Sequence, residues 1–142
     1  MTALLEVTGL RAGYGRNEVL HGVDLRVPPG AAVALLGSNG AWKTTLLKAV
    51  AGLLPARAGQ VVFQGAPIER RPANARARAG VCLIPEGRGI FRRLTVQENL
   101  AMHGGKKNMR EVIERTASLF PILQDRLQQQ AGTLSGGQQQ ML

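Results

Sequence analysis

The sequence predicts an α/β fold: a three-layer core, an antiparallel β patch at its N-terminal end and a small helical subdomain after the core. Three observations carry this expectation. Ala31-Ala32-Val33-Ala34-Leu35-Leu36 is a short apolar run, followed at once by a glycine-containing loop and then by apolar residues at helical spacing over residues 43–54. Strand-like and helix-like stretches alternate through residue 85. From Thr95 onward the apolar period is helical.

Taken in order, Leu4-Leu5-Glu6-Val7 and Val23-Asp24-Leu25-Arg26-Val27 are apolar or alternating, and Gly13, Gly15, Pro28, Pro29 and Gly30 punctuate them as turns. The run at 31–36 predicts a buried parallel strand. Leu46, Leu47, Val50 and Leu54 follow at helical spacing. Gly59-Gln60-Val61-Val62-Phe63-Gln64-Gly65 reads as a strand between glycines. Gly80-Val81-Cys82-Leu83-Ile84-Pro85 reads as a second buried strand, with Cys82 a small buried hydrophobe. Thr95-Val96-Gln97-Glu98 is a capping box that starts a helix. Met109, Val112, Ile113, Ala117 and Phe120 share one helical face, which Pro121 ends or bends. Ser135 and Gln138 form another capping box. Gly136 and Gly137 directly after that cap are costly in a helix, and make sense where something must approach the backbone closely. The helix stops within its first turns with apolar Met141 and Leu142 at the very end, so a chain cut short is expected.

Composition narrows the class. A 142-residue chain is the size of one ordinary domain, and 44% hydrophobic residues support a packed core rather than disorder. The single cysteine rules out an intramolecular disulfide and suits a reducing compartment. Met1-Thr2-Ala3-Leu4-Leu5-Glu6 lacks the basic start of a signal peptide, and no apolar run approaches the ~20 residues that span a bilayer. A soluble chain is expected. A net charge of +9 raises the question of an anionic partner. The basic residues are spread out, however, and the one dense patch, residues 69–78, has no interleaved aromatic. It reads as a solvated loop and short helix, and no nucleic-acid partner is expected.

The stretch Gly37-Ser38-Asn39-Gly40-Ala41-Trp42-Lys43-Thr44-Thr45 carries the chemistry. A phosphate-binding loop reads Gly, four residues, Gly, Lys, then Ser or Thr. Gly37, Lys43 and Thr44 fit, while Trp42 stands where the second glycine belongs. Curled backbone N–H groups and a helix N-terminus hold polyphosphate; a lysine reaches the β- and γ-phosphates and the hydroxyl holds Mg²⁺. A non-glycine residue at a left-handed position costs roughly 1–2 kcal/mol, so weakened nucleotide binding is expected of Trp42.

The loop at 37–45 followed by Leu134-Ser135-Gly136-Gly137-Gln138 resembles the ATP-binding subunit of ABC transporters, whose signature motif is Leu-Ser-Gly-Gly-Gln. The resemblance runs along essentially all of the chain but covers only the first part of such a domain. Residues 10–16 and 84–100, with Glu86 where most of the family carries glutamine, look most like the branched-chain amino acid uptake subgroup.

This resemblance implies a P-loop NTPase core with ATP and Mg²⁺ as ligands. The β patch and core would span 1–94, the helical subdomain 95–134 and the start of the signature helix 135–142. Tyr14 would stack on adenine. Gly37, Ser38, Asn39, Gly40, Ala41, Trp42, Lys43, Thr44 and Thr45 would hold the phosphates, with Thr44 on Mg²⁺. Glu86 would relay the nucleotide state to the membrane partners. Leu134, Ser135, Gly136, Gly137 and Gln138 would close over ATP held by a second subunit. The resemblance implies a homo- or heterodimer, transmembrane permease subunits, an indirect periplasmic binding protein and a cytoplasmic position at the inner face of the membrane. The family's later metal-binding aspartate, catalytic glutamate and phosphate-sensing histidine have no counterpart in these 142 residues, so poor ATP hydrolysis is expected. A non-transport protein of the same family and a non-functional remnant are the alternative readings.

Overall fold

Alternation at the N-terminus produces a long hairpin. β1 (Leu5–Tyr14) and β2 (Asn17–Val27) pair antiparallel, with Leu5 opposite Val27 and Tyr14 opposite Asn17. The structure, a computed structural model, describes residues 3–84, 89–104 and 109–142. The chain divides into two units, Met1–Leu83 and Ile84–Leu142.

In the first unit, α1 (Lys43–Val50) follows the glycine loop. β3 (Ala56–Phe63) joins the other edge of β1, and β4 (Ala66–Pro67) completes a four-stranded antiparallel sheet in the order β2-β1-β3-β4. α2 (Ala73–Arg78) comes next. Val7, Leu10, Ala12, Leu20 and Val61 from the sheet pack with Leu46, Ala49 and Val50 of α1. Each fully buried aliphatic side chain of this size contributes about 1.5–3 kcal/mol, so the helix that carries the loop is held by its apolar face.

The two expected parallel strands differ from the expectation. Residues 31–36 and 81–84 lie in no ladder; Leu36 is 90% and Ile84 82% exposed, and Cys82 is exposed rather than buried. A parallel strand is buried only when neighbours bond to both edges and helices cover both faces. Among the described residues no strand pairs with either run, and only Leu35 and Val81 pack partly against the core.

In the second unit the local signals hold. Thr95 caps α3 (Val96–Gly104): the Glu98 N–H donates to Thr95 Oγ1 at 3.1 Å, and the Thr95 N–H donates to Glu98 Oε2 at 2.7 Å. The Thr95 backbone bond, then its hydroxyl, holds the Glu98 carboxyl below its ordinary pKa. α4 (Met109–Leu119) directs Val112 and Ile113 to a small core of Val96, Leu100, Leu123 and Leu134. Pro121 occupies the first position of α5 (Pro121–Gln124), where a missing N–H costs nothing. A 3₁₀ turn (Ala131–Thr133) leads into α6 (Gly136–Met141).

Candidate phosphate-binding site

The first N–H groups of a helix have no intrahelical partner, and in α1 the N-cap side chain satisfies none of them. Its N-cap residue is Trp42, no side chain caps it, and its first turn contains no acid. The loop before it is curled. Ala41 N–H donates to Ser38 O at 3.1 Å, Gly40 takes φ +88°, and the first helical bond runs from Leu46 N–H to Trp42 O at 3.0 Å. Lys43 Nζ folds back over the curl and donates to Gly37 O and Ser38 O, each at 2.8 Å. An ammonium has three donors, so the same nitrogen can hold both carbonyls and reach a phosphate oxygen.

Trp42 sits in the left-handed region, at φ 56° and ψ 20°, and is 50% exposed. The position is therefore one that glycine adopts freely and an L-residue adopts at a cost of roughly 1–2 kcal/mol. Thr44 is exposed in the first turn of α1 and Thr45 is buried. The Thr45 hydroxyl lies 3.4 Å from the Tyr14 hydroxyl, which places the 46%-exposed Tyr14 ring beside α1. Arg57 Nη2 donates to Gly15 O at 2.6 Å and so pins the turn that follows Tyr14.

The first unit thus brings together Tyr14 and residues 37–45. Residues 134–138 belong to the second unit. There Leu134 is buried, Gly136 and Gly137 are exposed, and the Ser135–Gln138 capping box is complete: Gln138 N–H donates to Ser135 Oγ at 3.3 Å and Ser135 N–H to Gln138 Oε1 at 3.0 Å. Glu86 lies outside the described residues.

Three buried polar residues escape the sequence reading. Arg76, in the patch expected to be solvated, is buried against the end of α1, whereas its neighbours Arg70, Arg71 and Arg78 are exposed. Asn99 holds the segment before α3: its Oδ1 accepts from Phe91 N–H at 2.8 Å, and its Nδ2 donates to Thr95 O at 2.9 Å. Gln139 Nε2 donates to Leu134 O at 3.0 Å and Ala131 O at 3.2 Å, which fixes the turn that presents Ser135. Polar residues are rarely buried, and only the acceptors that each one meets in the fold distinguish these three.

At residues 37–45 the first unit thus presents a helix start without a side-chain cap, with Lys43 folded back over the loop before it. Comparison with known proteins shows the family. The ABC transporter family profile matches residues 20–142, and the chain belongs to that family. It is 42% identical over 132 residues to the high-affinity branched-chain amino acid transport ATP-binding protein BraG of Pseudomonas aeruginosa, covering 91% of this chain and 57% of BraG. It is 35% identical to the probable branched-chain amino acid transport ATP-binding protein LivF of Archaeoglobus fulgidus, covering 98% of this chain and 60% of LivF. A solved ATP-binding subunit of an ABC transporter superposes with a TM-score of 0.75 at 31% identity, covering 97% of this chain and 58% of that one. The chain therefore spans about three fifths of the length of these relatives.

Proposed function

We propose that the chain is the nucleotide-gripping part of an ATP-driven transport subunit, and that the transported solutes are branched-chain amino acids. The observation that carries this reading is Lys43 Nζ, 2.8 Å from Gly37 O and Ser38 O at an uncapped helix start. In this reading main-chain N–H groups of the loop and the Lys43 ammonium take the β- and γ-phosphates of ATP, and the Tyr14 ring receives the adenine.

Mg²⁺ fits a site of this kind. The described residues contain no cluster of three His, Cys, Asp or Glu side chains, and Mg²⁺ on a nucleotide is held mainly by phosphate oxygens and water. Thr44 supplies one further hydroxyl.

The glycine amides after Ser135 close over ATP bound by a second copy or a related subunit. Permease subunits hold the pair at the inner face of the membrane, with a periplasmic binding protein acting through them. No described helix is long and apolar enough to cross a membrane. The solute reading is supported by the relatives' names and by the stretches at 10–16 and 84–100.

Titration with a fluorescent ATP analogue tests the reading. ATP and pyrophosphate displace the analogue, and adenosine alone displaces it far less, because the phosphates supply most of the grip. Equal displacement by adenosine, or no binding of the analogue even after Trp42→Gly, refutes it.

A further inference from the structure

Arg76 is 2% exposed, and its guanidinium donates to four main-chain carbonyls. Nη1 donates to Ala49 O at 2.8 Å and to Val50 O at 2.7 Å, Nη2 to Glu69 O at 2.7 Å, and Nε to Arg71 O at 2.8 Å. Ala49 and Val50 end α1, so their carbonyls are among the last four, which have no acceptor role inside the helix itself; Ala49 O also accepts from Gly52 N–H at 3.2 Å, just past the helix end. A cation there satisfies those acceptors and complements the negative end of the helix dipole. Burying a guanidinium is costly, and only a set of acceptors matching its planar fork offsets that cost. Gly52 completes the seat: it takes φ +79°, and a Cβ on it would lie 2.8 Å from Arg76 Nε.

The other end of α1 carries Lys43, Thr44 and Thr45. Eight residues at 1.5 Å each make a helix about 12 Å long, short enough to move as one rigid piece. Whatever fixes the end at Val50 therefore fixes the start at Lys43. We infer that Arg76 is a positioning residue for the phosphate site: its fork locks the C-terminal end of α1 to residues 69–71 and α2, and so holds the loop at the opposite end in one register for polyphosphate. The inference rests on the reading of residues 37–45 as a phosphate site. It separates Arg76 from Arg78, two residues further along the same helix, which carries the same charge but is exposed.

The test uses a fluorescent ATP analogue titrated into the Trp42→Gly chain and into the same chain with Arg76→Ala, Arg76→Lys or Arg78→Ala. Arg76→Ala weakens binding by about tenfold, the effect of losing an outer-shell support at bound-ion sites. Arg76→Lys, which keeps the charge but loses the fork, weakens it nearly as much. Arg78→Ala leaves it unchanged. Millimolar guanidinium restores most of the affinity of Arg76→Ala, while methylammonium at the same concentration does not. Circular dichroism gives the folded fraction of each form; should Arg76→Ala fail to fold, Arg76→Lys carries the comparison. Unchanged affinity in a folded Arg76→Lys chain overturns the inference. So does equal weakening by Arg76→Ala and Arg78→Ala, or a loss that merely tracks the folded fraction. If the Trp42→Gly parent itself binds no analogue, the phosphate-site reading falls and the inference with it, an outcome distinguished by the silent parent.

Discussion

Trp42→Gly binds nucleotide more tightly than the chain with tryptophan. Residue 42 sits at φ 56° at the hinge between loop and helix, where glycine is at ease and tryptophan is strained. The strain is relieved whenever the loop leaves its curl, and a ligand that needs the curl must restore it. Apparent affinity then falls by the fraction of molecules that are competent. A left-handed penalty of roughly 1–2 kcal/mol, expressed fully in binding, corresponds to a gain of about fivefold to thirtyfold on restoring glycine. Trp42→Ala separates two causes, since alanine keeps the backbone penalty and removes the indole. Parallel titration of the three forms with a fluorescent ATP analogue reads the result. Equal affinity in the tryptophan and glycine forms contradicts the claim that residue 42 limits binding.

Lys43→Ala has the opposite effect. Lys43 holds Gly37 O and Ser38 O together and supplies the loop's own positive charge. Hydrogen bonds to charged groups contribute about 1.5–3 kcal/mol each, so loss of the phosphate contact alone lowers affinity by roughly 10- to 100-fold. Calorimetric titration with ATP in the Trp42→Gly background measures it. Adenosine binding changes little, because in the proposed function the Tyr14 ring receives the base while Lys43 serves the phosphates. A Lys43→Ala chain that binds ATP as well as its parent shows that the ammonium does not face the phosphates.

The parts of this molecule that were legible in its sequence are those whose causes are local. The capping boxes at Thr95 and Ser135 need only four consecutive residues, and both form as written. Pro121 stops one helix and starts another because its ring and missing N–H act on its immediate neighbours. The curl before Lys43 is likewise encoded by its own glycines and lysine.

What was illegible depends on partners distant in sequence. The apolar runs at 31–36 and 81–84 state what a segment would do with neighbours on both edges; among the described residues those neighbours are absent, and Leu36, Cys82 and Ile84 stay exposed. Arg76 is the reverse case. Nothing in the stretch from Glu69 to Arg78 separates it from three other arginines, and its burial follows from where the last carbonyls of α1 fall. Asn99 and Gln139 are buried for the same reason, each by a set of carbonyls that only the folded chain assembles.

In the proposed function, main-chain amides of residues 38–45 form an anion cradle at the start of α1. Amide proton and nitrogen chemical shifts of the Trp42→Gly chain, recorded as pyrophosphate is added, test it most directly. The largest movements are expected at residues 38–45, saturating together, with small ones through the rest of α1. Saturating shifts confined to the basic stretch at 69–78, with residues 38–45 unmoved, contradict it.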